Sequence, residues 1–374
     1  MSSVFEKEDM NQSSVDNALL KLVACGINHE PSGAFPVLSA DEWRELFDSS
    51  EQQGVNGLAV DGFNVLRPQM PADAALEYRK LQWFGGVMQM EQQYVAYKKA
   101  VAGLGAFYGR HYIPMTVLKG YGLSMNYPMP EHRPTGDIDI YLQGRWQEAD
   151  ALMEKELGIK MDNTHHHHSC FGFSGFSVEN HYDFINVHSH KSNKEIEDRF
   201  KALAKEIGEE ILPNVYLPNP NLNALFVMRH AACDFAAGHT TLKQMIDWAL
   251  LIKAIHKDLD WDALWKDCEM MGMTDFAVAF IEIAINYLGF DSDIFLLPDG
   301  LNFNPTIAEK VMADSLHPDY AGERPHGFLP YVNWMIHRWW DHRWKHKLVY
   351  TDSLLSTFVV QAYSHMLKPA TLHN

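Results

Sequence analysis

The feature that most constrains the fold is a short segment, residues 136–142, in which aspartates alternate with aliphatic residues. Side chains of a β-strand point alternately to its two faces, so this spacing predicts a strand with Asp137 and Asp139 on one face and two isoleucines on the other. Two carboxylates this close raise each other's pKa unless a cation lies between them. A solvated strand face that happens to carry two aspartates is the alternative interpretation.

Helical patterns come before this segment. Ser39 and Glu42 have the spacing of a capping box and predict a helix start. Pro71 is typical of a first helical turn, and apolar residues at helical spacing over 76–104 predict one long helix or two helices separated at Gly85-Gly86. The first hundred residues are therefore expected to be helical.

Strand patterns then alternate with helices. We predict a strand over 113–118 that turns at Lys119-Gly120 into a short helix over 122–127, and a helix over 146–157 that stops at Gly158. Two strands, 166–173 and 176–183, are predicted to form a hairpin at Ser174-Gly175, with a third short strand over 185–190. Helical patterns return after residue 192, so the layout is helical, then α/β, then helical.

Charge and cysteine content exclude several protein classes. The 374 residues include 48 acidic and 31 basic side chains, a net charge of −17 with neutral histidines, so non-specific binding to nucleic acid is not expected. The four cysteines are scattered and fit a reducing compartment. No secretory signal and no membrane-spanning apolar run is visible, so we expect a cytoplasmic protein.

The residues around the aspartate strand indicate phosphate chemistry. A glycine between a strand and a helix, as at Lys119-Gly120, lets backbone N–H groups hold phosphate oxygens. Arg133 is a bidentate donor four residues before Asp137. Beside a carboxylate pair that binds divalent metal, such a site would support phosphoryl or nucleotidyl transfer. The structural alternatives are a solvated turn lysine and an ion pair of Arg133 with Asp137 or Glu131.

Several motifs together have a known counterpart. They are Leu-Lys-Gly at 118–120, Arg-Pro-x-Gly-Asp-Ile-Asp-Ile at 133–140, Val-Glu-Asn-His-Tyr at 178–182 and two helical motifs at 225–231 and 242–247. This set resembles the nucleotidyltransferase superfamily related to DNA polymerase beta, in particular its uncharacterised bacterial nucleotidyltransferase branch. The resemblance implies an α+β fold: a small mixed β-sheet as the nucleotidyltransferase core over 111–215, flanked by helical regions over 1–110 and 216–374.

The resemblance also implies a site. Asp137, Asp139 and Glu179 would be the catalytic carboxylates and would bind two Mg²⁺ ions. Lys119, Gly120, Arg133, Gly136 and His181 would bind the nucleoside triphosphate. The implied reaction transfers a nucleoside monophosphate from a nucleoside triphosphate to a hydroxyl group of an unknown small-molecule or protein acceptor.

Some questions stay open at this point. Glu179 and His181 share one face of their strand, but Asn186 and His188 lie on a competing strand, and in that register the third carboxylate is missing. In that case the protein would be a catalytically inactive relative that binds a nucleotide or a partner protein. The tract of four histidines at 165–168 suggests metal binding as a second alternative, although consecutive strand residues cannot all face one ion.

Overall fold

The computed structural model describes residues 13–31, 33–70, 74–318, 327–357 and 360, and within them it has an α+β fold. Helices fill the N-terminal and C-terminal parts, and the strands lie between them. The first helices are α1 (Ser14–Asn28), α2 (Ala40–Gln52), α3 (Asn56–Leu66) and α4 (Ala74–Arg110). No helix in the described ranges is both long enough and apolar enough to cross a membrane.

The strands form one mixed sheet, six-stranded within the described residues, and this confirms the predicted fold class. They are β1 (Met115–Val117), β2 (Ile138–Tyr141), β3 (His168–Phe173), β4 (Phe176–His181), β5 (Ile207–Leu212) and β6 (Val215–Pro218). Their order is β3-β4-β2-β1-β6-β5, with β2 parallel to β4, β1 parallel to β6 and the other neighbours antiparallel.

Helices also occur between and after the strands. They are α5 (Tyr121–Ser124), α6 (Trp146–Leu157), α7 (Asn193–Leu203), α8 (Pro220–Ala237), α9 (Leu242–Ile255), α10 (Trp261–Met270), α11 (Thr274–Leu288), α12 (Pro305–Leu316), α13 (Phe328–Asp341) and α14 (Arg343–Val349). Short 3₁₀ turns occupy Arg67–Gln69, Pro130–His132 and Ser292–Ile294.

Local signals in the sequence predicted several of these elements correctly. The Ser39 hydroxyl accepts from the Glu42 backbone N–H, and the Glu42 carboxylate accepts from the Ser39 N–H at 2.7 Å, which confirms the capping box. Helix α6 ends at Gly158, whose φ is 67°. The β3–β4 hairpin turns at Ser174-Gly175, both with positive φ. The capping box, the helix end and the hairpin turn each depend on interactions between residues only a few positions apart in the chain.

The predicted strand over 185–190 is wrong, and the segment instead forms turns. The backbone N–H groups of Ile185, where the segment begins, and of Phe184 just before it donate to the carboxylate of Glu197 on α7, at 3.1 and 2.9 Å. The Asn186 side chain accepts from the His188 N–H at 2.9 Å. Side chains satisfy these backbone groups in place of a strand partner, so the competing register does not exist.

The predicted break at Gly85-Gly86 is also wrong, because α4 continues through both glycines to Arg110. A helix of 37 residues is about 55 Å long. Near its start, Trp83 packs against Trp43 and Phe63 in the larger hydrophobic core, while Tyr97 lies in the core under the sheet. Packing before and after the two glycines offsets their low helix propensity. Pro71 lies outside the described residues.

The buried side chains form two hydrophobic cores. The smaller core lies between the sheet, the second half of α4 and α6. The larger core contains α1–α3 together with the C-terminal helices, and the Asn28 side chain donates to the backbone oxygen of Leu288 on α11. The helices that come before and after the sheet in the chain therefore pack on each other. The division into three domains stays a prediction.

Helices α1 and α3 pack so closely that a glycine is required between them. A Cβ atom on Gly62 would lie 1.8 Å from the backbone oxygen of Leu22. We expect Gly62→Ala to lower the free energy of unfolding by about 2–3 kcal/mol, because the two backbones would have to separate.

Gly85→Ala is the matched control, since no described atom outside its own stretch of helix lies within 4 Å of the position that an alanine methyl group would take. We expect this variant to be stabilised by about 0.5–1 kcal/mol, because alanine favours the helix over glycine. Urea unfolding followed by circular dichroism measures both values. Equal effects of the two substitutions would contradict the role given to Gly62.

Candidate active site

One face of the sheet collects the polar side chains of three adjacent strands. The parallel register of β2 and β4 places Asp139 beside Glu179, and the antiparallel register of β3 and β4 places Cys170 beside Glu179 and His168 beside His181. The opposite face carries the aliphatic residues of the smaller core. The sheet therefore separates an apolar face from a face with acidic and histidine side chains.

Three of the predicted site residues meet on this face. His181 Nε2 lies 3.2 Å from Asp139 Oδ1 and 3.5 Å from Glu179 Oε2. The ligand atoms of these three side chains all lie within 4.8 Å of one another. Lys119 Nζ lies 2.9 Å from Asp139 Oδ1, so this lysine forms an ion pair instead of being solvated in the turn. The buried Asp139 carboxylate is therefore in contact with both the Lys119 ammonium and the His181 imidazole.

The electrostatics of the cluster follow from this arrangement. Burial raises the pKa of Asp139, but Lys119 and His181 outweigh burial and lower that pKa well below its usual value. Burial lowers the pKa of His181, but its hydrogen bonds to Asp139 and Glu179 outweigh burial, so the pKa is raised above its usual value. For the more exposed Asp137, burial and then the negative charges of Glu179 and Asp139 raise the pKa. Lys119 and His181 therefore do not fully compensate the acidic charge.

The glycine turn after β1 holds this cluster in place. Gly120 has φ 51°, and a Cβ atom there would lie 2.1 Å from the Tyr97 hydroxyl oxygen. That hydroxyl donates a 2.9 Å hydrogen bond to the backbone oxygen of Asp137. Only glycine leaves room for this bond between α4 and the aspartate strand. Around Gly136 no described atom beyond its chain neighbours lies within 4 Å of a Cβ position, so sterics do not explain a glycine there.

A cleft opens beside the aspartates and extends to the C-terminal helices. Its volume is about 920 Å³, within the usual size range of small-molecule sites. The lining includes six of the predicted site residues and adds cationic side chains from α9 and α13: Lys119, Gly120, Arg133, Gly136, Asp137, Asp139, Lys243 and Arg338. The cleft thus has acidic groups on the sheet and basic groups around them.

Arg133 has a different ion-pair partner from either predicted one. Its guanidinium donates to both carboxylate oxygens of Asp247 on α9, at 2.8 and 2.9 Å, and both side chains are buried. The Tyr127 hydroxyl donates to the same carboxylate at 2.8 Å. The structural alternative, an ion pair with Asp137 or Glu131, is therefore wrong in its partner, although Arg133 does form a buried ion pair. Binding of phosphate by Arg133 stays a prediction.

Sequence reasoning missed Lys243 as a cleft residue. Its ammonium lies 3.4 Å from Asp247, four positions further along α9. The spacing of Lys243 and Asp247 on one helix face was the available signal. It could not reveal that this face lies against Arg133, because 114 positions separate Arg133 from Asp247 in the chain.

The buried Arg133–Asp247 pair generates a stability prediction. Burial raises the pKa of Asp247, but Arg133 and Lys243 outweigh it and lower the pKa to about 2. Removing one partner leaves a buried charge uncompensated, so we expect Asp247→Asn to lower the free energy of unfolding by about 3 kcal/mol at neutral pH.

The same pair predicts a pH dependence. A carboxyl with a lowered pKa in the folded state stabilises the fold above its unfolded pKa, about 3.9, and that stabilisation is lost as the pH falls toward about 2. Between these values the unfolding free energy of the wild type should fall by up to about 2 kcal/mol more than that of Asp247→Asn. Urea titrations at several pH values measure the difference. Parallel pH profiles for the two proteins would contradict the assignment.

Comparison with protein families identifies the family of this chain. Residues 39–289 match the model of a family described as "Uncharacterised nucleotidyltransferase". No curated protein and no solved structure matches the chain. The family match includes the aspartate strand, the β3–β4 hairpin and α9, and it confirms the resemblance drawn from the motifs. The chain belongs to this nucleotidyltransferase family.

Proposed function

We propose that the protein is a metal-dependent nucleotidyltransferase that transfers a nucleoside monophosphate from a nucleoside triphosphate to a hydroxyl group of a small-molecule or protein acceptor. The observation that carries the proposal is the parallel register of β2 and β4, which brings the Asp139 and Glu179 carboxylates together. Asp137 lies close enough that, after burial, the charges of Glu179 and Asp139 raise its pKa. The family match supports nucleotidyl transfer as the general reaction.

The acidic residues suit magnesium. Mg²⁺ is a hard cation, and proteins bind it through oxygen atoms, chiefly those of carboxylates. Burial, and after it the negative charges of Glu179 and Asp139, raise the pKa of Asp137, and a bound cation would offset this repulsion. Asp137, Asp139 and Glu179 would hold two ions, which, when bound, would neutralise phosphate charge and lower the pKa of the attacking hydroxyl.

The protein's own side chains would bind and orient the nucleotide. Lys119 and Lys243 line the same cleft as the aspartates and offer positive charge for the triphosphate. The Gly120 turn keeps the backbone close to the end of β1, and Tyr97 fixes the position of Asp137. Such preorganised charge contributes to catalysis because the groups need not reorient during the reaction.

His181 would position the metal ligands. Its Nε2 lies within 3.5 Å of both Asp139 and Glu179, so one imidazole holds two carboxylates from neighbouring strands. Histidine and carboxylate groups next to metal ligands commonly orient them in this way. The net charge of −17 favours a small-molecule or protein acceptor over nucleic acid.

The inactive relative is the second candidate function. It predicts that the third carboxylate lies away from the aspartate pair, whereas Glu179 lies beside Asp139 across the β2–β4 register. The short distances from His181 to both carboxylates favour the active enzyme. A binding protein that uses the same cleft is one outcome of the experiments below.

Replacing Asp139 tests the proposal directly. We expect Asp139→Asn to lower pyrophosphate release from labelled nucleoside triphosphates with Mg²⁺ by at least about 100-fold, because a lost metal ligand costs several kcal/mol of transition-state stabilisation. Asp258→Asn, at an exposed position on the C-terminal side of α9, is the control and should retain wild-type activity. Unchanged turnover in Asp139→Asn would refute the metal site.

Calorimetric titration separates the two candidate functions. We expect nucleoside triphosphate binding to weaken at least about tenfold when a chelator removes Mg²⁺, because the metal neutralises charge between the carboxylates and the phosphates. Equal affinity with and without the chelator would argue against metal bridging. Magnesium-dependent binding combined with no pyrophosphate release and no self-labelling for any of the four nucleotides would favour the inactive relative.

A further inference from the structure

A second group of ligand-type side chains lies next to the candidate active site. It consists of His165, His168 and Cys170, whose ligand atoms all lie within 4.8 Å of one another. Asp162 and Cys170 are joined by two backbone hydrogen bonds of 2.8 Å, so the intervening turn folds back over the start of β3. This bridge brings residues from the turn and from the strand to one place.

His168 is the member of this group whose buried ring nitrogens both lack a hydrogen bond to the described residues. Its side chain is 7% exposed, and neither ring nitrogen has a hydrogen-bond partner among the residues that the structure describes. A carboxylate oxygen of Glu179, Oε2, lies 3.7 Å from its Nδ1, which is beyond hydrogen-bond distance. A buried polar group without a hydrogen bond costs free energy, so an imidazole in this position is favoured when another group binds it.

The chemistry of the group differs from that of the acidic cluster. Two imidazoles and a thiol are borderline to soft ligands, which suit Zn²⁺ and related transition metals and do not suit Mg²⁺. Asp162 Oδ2 lies 4.0 Å from His165 Nε2 and could supply a fourth ligand. The His165 side chain is 30% exposed, so an ion can reach the group from solvent.

We propose that His165, His168 and Cys170 form a binding site for a divalent transition metal of the Zn²⁺ class, separate from the oxygen-ligand site of the aspartates. The four-histidine tract cannot bind one ion as a run of strand residues, and in the structure only His168 of the tract lies in a strand. The turn supplies His165, and the strand supplies His168 and Cys170.

The site also borders the proposed active site. A histidine that binds a metal through one ring nitrogen usually donates its other N–H to a carboxylate, which orients both groups. The carboxylate near His168 is that of Glu179, one of the proposed magnesium ligands. That carboxylate lies 3.7 Å from His168 Nδ1, so a transition metal on His168 would place positive charge near Glu179, and a hydrogen bond between the two groups would require them to move closer. The proposed metal site does not depend on the nucleotidyltransferase activity.

A neighbouring set of residues offers an alternative location. The ligand atoms of His167, His168 and His181 also lie within 4.8 Å of one another. His181, however, already contacts Asp139 and Glu179, and this set contains no thiol. The thiol gives the proposed site a spectroscopic signature that the three-histidine set lacks.

Cobalt titration of the full chain tests the site. With affinity tags removed and a phosphine reductant present, Co²⁺ should bind with a thiolate-to-cobalt charge-transfer absorption in the near ultraviolet, and Zn²⁺ should displace it. Cys170→Ser should abolish this absorption, and His165→Ala should weaken Co²⁺ binding by more than about tenfold. His165 is partly exposed, so its replacement should leave the fold intact, which circular dichroism checks.

Two control variants make the result specific. His188→Ala removes an exposed imidazole from the neighbouring turn and should leave the absorption unchanged. Asp139→Asn should also retain it, which keeps this test independent of the magnesium site. A wild-type protein without the thiolate band would overturn the proposal. Co²⁺ binding by Cys170→Ser as tight as that of the wild type would also overturn it. The same holds if His167→Ala loses Co²⁺ binding while His165→Ala and Cys170→Ser keep it.

Discussion

The structure of the site depends on the parallel pairing of β2 and β4. This pairing sets Asp139 and Glu179 side by side on one sheet face, where two negative charges would repel each other. Lys119 Nζ and His181 Nε2 lie 2.9 Å and 3.2 Å from Asp139 Oδ1, and these contacts lower the electrostatic cost of the repulsion. Lys119 follows β1 and His181 lies on β4, so both reach Asp139 on β2 only when the sheet is assembled.

The helical regions determine the shape of the cleft around that sheet. Helix α4 reaches from the larger core to the sheet, where its Tyr97 hydroxyl bonds to the backbone of Asp137. Helix α9 contributes Asp247, which holds the Arg133 guanidinium in a buried, bidentate ion pair. Through these two contacts, the helices before and after the sheet position the loop that carries the first aspartate. The family match covers both of them, from residue 39 to 289.

Local signals in the sequence were sufficient for much of the fold. The capping box at Ser39, the end of α6 at Gly158 and the hairpin at Ser174-Gly175 each depend on neighbours a few residues apart. The predictions that failed depend on distant partners. Glycines did not break α4, because distant aromatic residues pack against it, and the segment after β4 is not a strand, because the Glu197 carboxylate accepts its backbone N–H groups.

The sequence by itself determined the family and predicted the chemistry of the site: the motifs indicated the nucleotidyltransferase family, and period-two spacing predicted that the two aspartates share one face. In the structure Asp139 lies in β2, and Asp137 directly precedes the strand. Only the tertiary structure decided which groups face those aspartates. The strand register selected Glu179, and helix packing selected Asp247 as the partner of Arg133. The reason is physical, since periodicity specifies the face of one element, whereas contacts between elements depend on how their buried surfaces pack together.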